Sequence, residues 1–278
     1  MRVGVIGLGA MGAAMASRLA ATGERPAGFD LDAGRLAAAA VVAAPDAAAL
    51  CDSSDLVLLS LPSEAAVATA GDIFIGAARP GAILVDTSTV GPEASRALAA
   101  RIVAAGRSML DAPVSGGPTG AAAGTMAMMV GGDGEVLGMV RPVLERLATR
   151  IVHVGGAGAG CVAKLVNNAM VATHLLVAAE ALRMARLAGV DPASVLAAVN
   201  GASGRSAVTE VNFPRWIFPG TFDSGFSAGL MRKDFSLAAG LAGADAPLLA
   251  AALAGWRERG IADAEDFNRV AAERYQLP

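Results

Sequence analysis

The sequence holds only two cysteines, Cys51 and Cys161, 110 positions apart. So sparse a pair excludes a disulfide framework, and no signal-peptide pattern precedes the first strand, so the expected setting is a reducing cytoplasm. Histidine is equally scarce. His153 and His174 are the only two, and neither lies near a cysteine, so no His or Cys metal cluster can assemble locally and no metal is expected. An excess of charge of one sign is also missing: 22 Lys and Arg face 25 Asp and Glu, a net charge of -3. That balance supplies no field to attract a phosphate backbone, which disfavours nucleic acid as a partner. The longest uncharged run, Ala112 to Gly132, reaches the roughly 20 residues that span a bilayer. It contains Pro113, Pro118 and six glycines, so it reads as loops and short elements and no membrane is expected as partner. The apolar content of 54% and the mean hydropathy of +0.53 come largely from 65 alanines, small side chains rather than long ones.

At 278 residues the chain fits two modest domains, given about 100 to 200 residues per domain. The first half alternates short β-branched runs with alanine-rich helical stretches, the pattern of a parallel sheet covered on both faces. The expected strands are Arg2 to Ile6, Pro26 to Asp30, Asp55 to Leu61, Ala82 to Asp86, Ser108 to Asp111, Thr125 to Val130 and Arg150 to Val154. From Cys161 to Ala188 there is no Pro or Gly for 28 residues, and apolar residues recur at three-to-four spacing. At about 1.5 Å per residue this single helix extends roughly 40 Å, long enough to join two domains. Asp191-Pro192 then starts an alanine-rich region with few β-branched runs. The expectation is α/β: an N-terminal Rossmann doubly wound sheet over residues 1–160, then an all-α domain over 161–278 for substrate and oligomerisation, joined by the long helix.

The first strand runs into Gly7-Leu8-Gly9-Ala10-Met11-Gly12 and then a helix, the context in which GxGxxG carries meaning. Gly7 permits a tight turn, Gly9 lets backbone approach a pyrophosphate, and Gly12 allows helix to pack on strand. The helix N-terminus offers free N–H groups and partial positive charge to the phosphates. Asp30 ends the second strand, 23 residues after Gly7. Its carboxylate can accept hydrogen bonds from ribose hydroxyls and repel a 2′-phosphate, which favours NAD; Arg35 nearby keeps NADP open.

Two further segments carry chemistry. Asp111-Ala112-Pro113-Val114-Ser115-Gly116-Gly117 follows a strand at its carboxyl end, where open α/β sheets bind ligands. Ser115 with Gly116 and Gly117 can present a hydroxyl and unobstructed N–H groups to a carboxylate, although an ordinary strand-to-helix turn would read the same. The second, Gly155-Gly156-Ala157-Gly158-Ala159-Gly160, leads into the long helix with Lys164, Asn167 and Asn168. Lys164 and Asn168 share a helix face that Val171 and Leu175 continue. The sequence leaves Lys164 either snorkelling near a helix start or buried there, and burial would lower its pKa toward general acid/base work.

These segments together resemble the β-hydroxyacid dehydrogenases, a group with 3-hydroxyisobutyrate dehydrogenases, tartronate semialdehyde reductases and glyoxylate/succinic semialdehyde reductases. The resemblance runs over nearly the whole chain and ends at Lys233-Asp234-Phe235-Ser236-Leu237-Ala238. It implies that Lys164 is the catalytic acid/base, that Asn168 positions substrate, and that Ser115, Gly116 and Gly117 bind its carboxylate. It also implies that Leu61, Pro62 and Thr89 line the cofactor site and that Lys233 closes over it. Imine reductases share the architecture but usually lack the catalytic lysine, so Lys164 argues against that branch. Phe235 departs from the leucine common after Lys-Asp, and puts nothing essential in doubt.

His174 falls about 80° off the Lys164 face and reads as a packing or interface histidine. His153 reads as structural, and Trp216, Phe218, Phe222 and Phe226 as packing for the helical domain. An extended apolar helix needs a partner to cover it, so a homodimer or homotetramer is expected. The reading is therefore a cytoplasmic oxidoreductase that moves a hydride between NAD and a small 3-hydroxy acid, giving the semialdehyde. An NADPH-dependent semialdehyde, glyoxylate or tartronate semialdehyde reductase is the alternative within the class. A non-catalytic dinucleotide-binding module would have no use for Lys164, Asn168 and Ser115 together.

Overall fold

The computed structural model describes residues 1–257 and 260–275. It divides into two compact units, Met1–Lys164 and the chain from Leu165 onward. The first unit is built on a nine-stranded sheet: β1 (Val3–Ile6), β2 (Ala27–Phe29), β3 (Val42–Ala43), β4 (Leu56–Leu59), β5 (Ile83–Asp86), β6 (Ser108–Asp111), β7 (Val114–Ser115), β8 (Met126–Gly132) and β9 (Ala148–Gly155). The order is β3-β2-β1-β4-β5-β6-β8-β7, with β9 paired to β8. Its helices are α1 (Ala10–Ala21), α2 (Ala33–Ala38), α3 (Ala47–Ser53), α4 (Glu64–Ala77), α5 (Pro92–Ala104), α6 (Gly117–Ala123) and α7 (Gly134–Leu144).

The strands are short and apolar because both faces are covered. Val3, Val5, Leu56, Leu58, Ile83 and Val85 pack into one buried cluster with Met15 and Leu19 of α1. The alternate residues Ile6, Val57, Leu59 and Leu84 pack into the other with Leu50, Phe74 and Leu98. Burying a Leu- or Ile-sized side chain contributes roughly 1.5–3 kcal/mol, so both layers are needed to hold so thin a sheet.

All seven expected strands are present, with ends that move by no more than two residues. Two elements were not expected: β3 and β7 have two residues each, too few to show alternation. The expectation of a parallel sheet needs a correction at one side, because β8 runs antiparallel to β6 and β7. The physical cause is local. Gly116 and Gly117 both sit at positive φ, 122° and 62°, and turn the chain from β7 into α6 so that β8 returns alongside.

α8 (Ala159–Leu187) is one helix of 29 residues, close to the expected bounds. Among the described residues it is the one helix long and apolar enough, by length and composition, to cross a membrane; half of that stretch is buried. From Leu165 the second unit is helical, with α9 (Pro192–Asn200), a π-helix (Val208–Ile217), α10 (Ala228–Ala242), α11 (Pro247–Arg257) and α12 (Arg269–Tyr275). Its core gathers Phe213, Phe235, Trp256, Phe267 and Val270 around Leu175 and Leu182 of α8, with Phe218, Phe222 and Phe226 packed on it. The Trp256 indole donates to the Ala172 carbonyl at 3.1 Å. No sequence signal announced the π-helix, although Pro214 inside it removes a backbone donor and disfavours regular α geometry.

Candidate functional site

The turn after β1 is made of main chain. Gly7 has φ 89°, and its N–H donates to the Phe29 carbonyl at 2.9 Å. A Cβ at Gly12 would lie 1.8 Å from the Gly7 carbonyl oxygen, whereas one at Gly9 meets nothing within 4 Å. The first glycine pair thus packs helix on loop, and Gly9 leaves an open cradle. No side chain caps α1 at Gly9, so its first amides can receive an anion. A groove of about 230 Å³ beside the turn is lined by Leu8, Gly9, Ala10, Ala13, Arg35 and Ala39. Met11 turns the other way and packs on the core.

Asp30 lies just beyond β2 and is tied to that turn. Its Oδ2 accepts from the Leu8 N–H at 2.7 Å and its Oδ1 from the Asp32 N–H at 2.8 Å. A carboxylate has about four lone-pair sites, so capacity remains for ribose hydroxyls. Arg35 sits 3.8 Å from Asp32, which also caps α2. These residues fit the adenosine and pyrophosphate portions of a nicotinamide dinucleotide.

The ends of β4 and β5 are fastened together. Leu61 N–H donates to the Ser88 hydroxyl at 2.9 Å, Thr87 hydroxyl to the Leu59 carbonyl at 2.6 Å, and Gly91 N–H to Glu64 Oε1 at 2.6 Å. Leu61 and Thr89 are half-buried and Pro62 is exposed on these two connected loops. Sequence reasoning named Leu61, Pro62 and Thr89 but missed Ser88 and Glu64, whose hydrogen bonds hold the loops in register. Short polar residues just after strand ends are the signal that could have found them.

Ser115 closes β7 and Gly116 and Gly117 open α6, so this trio forms one half-exposed turn at the carboxyl end of the sheet. Asp111, at the head of the same segment, faces elsewhere. It is 2% exposed, and its oxygens accept from the Gly158 and Cys161 N–H groups at 2.7 and 2.9 Å.

Lys164 is 7% exposed and Asn168 4%. Between the two sequence readings, the buried one holds. In the second unit Asn168 Nδ2 donates to Asp234 Oδ2 at 2.7 Å, and Asn168 Oδ1 accepts from Asn167 at 3.1 Å. Lys233 Nζ lies 3.2 Å from Asp234 Oδ1. Asp234, itself 1% exposed, therefore holds both Asn168 and Lys233, a role the sequence reading passed over. The usable signal was an acid on the inner face of an apolar helix, which needs partners.

Other candidates fall outside this chemistry. Burial pushes the Cys51 thiol up to about 11; burial, then the charges of Asp111 and Asp86, pushes the Cys161 thiol up too. Both are free and stay protonated at neutral pH, which makes them poor nucleophiles. His153 bonds the Gly132 carbonyl at 2.8 Å, and His174 is exposed on α8. Among the described residues no three His, Cys, Asp or Glu side chains are grouped to hold a metal ion.

Comparisons with known proteins show the family of the chain. Residues 2–155 match the model of the NAD binding domain of 6-phosphogluconate dehydrogenase. Residues 158–272 match that of the NAD-binding domain of NADP-dependent 3-hydroxyisobutyrate dehydrogenase. The chain is 39% identical over 264 residues to a probable 3-hydroxyisobutyrate dehydrogenase of Mycobacterium tuberculosis, covering 88% of each. It is 35% identical over 246 residues to 2-hydroxy-3-oxopropionate reductase of Escherichia coli, covering 86% of this chain and 83% of that one. A solved structure of Mycobacterium tuberculosis 3-hydroxyisobutyrate dehydrogenase with L-serine superposes with a TM-score of 0.92 at 35% identity, covering 99% of both chains.

Proposed function

The chain belongs to the β-hydroxyacid dehydrogenase family, an NAD(P)-dependent oxidoreductase, and from that premise we propose that it interconverts a small 3-hydroxy acid and its semialdehyde with Lys164 as acid/base. The observation that carries the reading is Lys164 itself. The sequence uses arginine for every cationic side chain except Lys164 and Lys233. Guanidinium stays protonated near neutral pH, so a buried lysine in a chain that otherwise uses arginine suits a place where a proton comes and goes. Its burial at 7% exposure, one helical turn before Asn168, suits proton transfer more than surface solvation.

When bound, the nicotinamide ring supplies the hydride acceptor or donor. In oxidation the neutral Lys164 amine takes the hydroxyl proton as the carbinol hydrogen leaves with its electron pair. In reduction the Lys164 ammonium returns a proton to the alkoxide oxygen. Ser115, Gly116 and Gly117 hold the substrate carboxylate with a hydroxyl and main-chain amides, which fixes the reacting carbon and lowers the entropic part of the barrier. Asn168 positions the substrate, and Lys233 closes over the cofactor. Asp30 favours NAD, with NADP accepted less well.

The enzyme is soluble and cytoplasmic in this reading, with neither nucleic acid nor membrane as partner, and a homodimer or homotetramer. Support for assembly comes from α8, where Val166, Met170, Val177 and Met184 are 54%, 53%, 59% and 69% exposed. Their spacing keeps them within about 40° of one another along roughly 27 Å of helix. An exposed row of apolar side chains of that kind, interrupted by Thr173 and Glu180, suits a protein contact. Met170→Lys with Val177→Lys should lower the mass seen by sedimentation equilibrium; an unchanged mass removes α8 from the interface.

The test of the activity is a panel of three- and four-carbon 3-hydroxy acids with NAD and NADP. Lys164→Ala should lower kcat by roughly 10²- to 10⁴-fold while NADH affinity changes little. Lys164→Arg should not restore it. Retention of more than about a tenth of wild-type kcat in Lys164→Ala would reduce Lys164 to a positioning residue.

A further inference from the structure

We infer that Asp111 is the positioning residue for Lys164: its buried carboxylate clamps the start of α8 against the end of β6 and so fixes where the lysine stands. This rests on the reading of Lys164 as acid/base, and it separates Asp111 from the substrate-binding turn with which it shares a sequence motif.

Three observations meet at this carboxylate. First, both oxygens are used on one target. Oδ1 accepts from Gly158 N–H at 2.7 Å and Oδ2 from Cys161 N–H at 2.9 Å, 47 and 50 residues away in sequence. A carboxylate that takes two amides of one helical turn fixes both the axial position and the rotation of that turn. Second, the surrounding backbone is cleared for it. A Cβ on Gly131 would lie 2.5 Å from Asp111 Oδ1, and one on Gly160 2.9 Å from Oδ2 and 2.2 Å from the Met129 carbonyl oxygen. Glycine at both positions lets helix, β8 and carboxylate come together. Third, the group is 2% exposed, so water cannot replace the two amides at little cost.

Lys164 follows Cys161 by three residues, less than one turn, and lies about 60° from it around the axis. An error in the first turn is therefore carried to the lysine with little loss. Uncapped, α8 would have to satisfy its first amides otherwise and could slide or rotate on the sheet. A displacement of about 1 Å of a catalytic group can cost on the order of 100-fold in rate.

The test uses the full-length enzyme and three readouts: kcat and KM for the hydroxy acid, NADH affinity by fluorescence titration, and amide exchange of residues 158–164. In Asp111→Asn one oxygen becomes an amide nitrogen facing an N–H group. Expected are a fall in kcat of roughly 100-fold, NADH affinity and KM within about threefold of wild type, and faster exchange at the start of α8. A folded Asp111→Asn enzyme with kcat within threefold of wild type overturns the proposal. Where that variant does not fold, Gly160→Ala carries the test, because its methyl group pushes the same turn off β8 and off the carboxylate while Asp111 itself is kept. It should show the same split, and a normal kcat there overturns the proposal equally. Failure of both to fold assigns Asp111 to stability alone and also overturns it. Lys164→Ala keeps the two readings apart: a dead Lys164→Ala beside an active Asp111→Asn removes only the role of Asp111, whereas an active Lys164→Ala removes both.

Discussion

The two units satisfy their acidic and amide side chains in different ways. In the first, carboxylates at the edges of strands take main-chain amides: Asp30 from Leu8 and Asp32, Asp86 from Ser88, Asp111 from Gly158 and Cys161, Asp55 from Arg2. In the interior of the second, buried side chains satisfy one another, whereas its more exposed acids Asp191, Glu265 and Asp266 also take main-chain amides. Asn168 donates to Asp234, which Lys233 also approaches, and Asn212 donates to Asn268, which donates to Asp266, which holds Ser224. A main-chain amide stands where the fold puts it, so each of these four carboxylates has a partner that only a proline substitution removes. A side-chain partner can be removed, so the groups of the second unit should rise and fall together.

The largest effect that can break this contrast is energetic coupling in the second unit. Asn168→Ala and Asp234→Ala each leave a buried polar group without its partner, and truncating such hydrogen bonds costs about 1–3 kcal/mol. Having lost one, the network loses less with the other, so the double variant should be more stable than the sum predicts by about 0.5–3 kcal/mol. Asp30→Ala combined with Asp234→Ala, one from each unit, should be additive to about 0.5 kcal/mol. Urea unfolding of the three single variants and the two doubles decides it. Additivity of Asn168 with Asp234 would mean that their 2.7 Å contact carries no energy and the contrast is one of appearance.

The same contrast governs what the sequence reveals. The short apolar runs at Val3–Ile6 and Leu56–Leu59, the glycine spacing and the break-free run into α8 are local patterns, and each led to the right element. Asp30, Lys164 and Asn168 were named because they sit at fixed offsets from such patterns. Asp234 was passed over although its neighbour Lys233 was named, because its importance lies in a contact 66 positions away. Asp111 was given no role of its own at the head of the segment whose Ser115, Gly116 and Gly117 were assigned to substrate, while its geometry points to Gly158 and Cys161. The two-residue strands and the π-helix had no periodicity to read. The scarcity of lysine was in plain view and is the strongest compositional pointer to Lys164 and Lys233.

A middle-sized effect sharpens the first half of the comparison. Because Asp30 is fixed by two amides, its charge stands beside the glycine turn whether or not a ligand is there. NAD should be preferred to NADP by at least about tenfold in kcat/KM, which corresponds to about 1.4 kcal/mol. Asp30→Asn removes the charge and should narrow that ratio without equal loss of NAD binding. Equal efficiency with both cofactors in the wild type would shift the assignment to Arg35.

The smallest expected effect concerns Asp55, where a main-chain amide and a side chain act on the same carboxylate. Its Oδ2 accepts from the Arg2 N–H at 2.8 Å, and its Oδ1 pairs with the Arg2 guanidinium at 2.6 Å, joining the residue before β1 to the residue before β4. The side-chain hydrogen bond from Arg2, then its backbone N–H, hold the Asp55 carboxyl well below its ordinary value of 3.8. The folded protein therefore binds this proton less readily than the unfolded chain. Stability from the pair is fully present above the unfolded value and drains away as pH falls from there toward the depressed folded one. Both side chains are about half exposed, at 56% and 42%, so solvent and salt screen the pair and its contribution is modest. Asp55→Asn should lower Tm slightly at pH 7, and the gap to wild type should begin to narrow as the pH is taken below 3.8 toward 3. Arg2→Ala should leave part of the gap, because the residue 2 N–H still donates to Asp55 whatever side chain it carries. If Arg2→Ala instead destabilises at pH 7 as much as Asp55→Asn, the main-chain bond contributes nothing, and the first unit's carboxylates depend on side chains as the second unit's do.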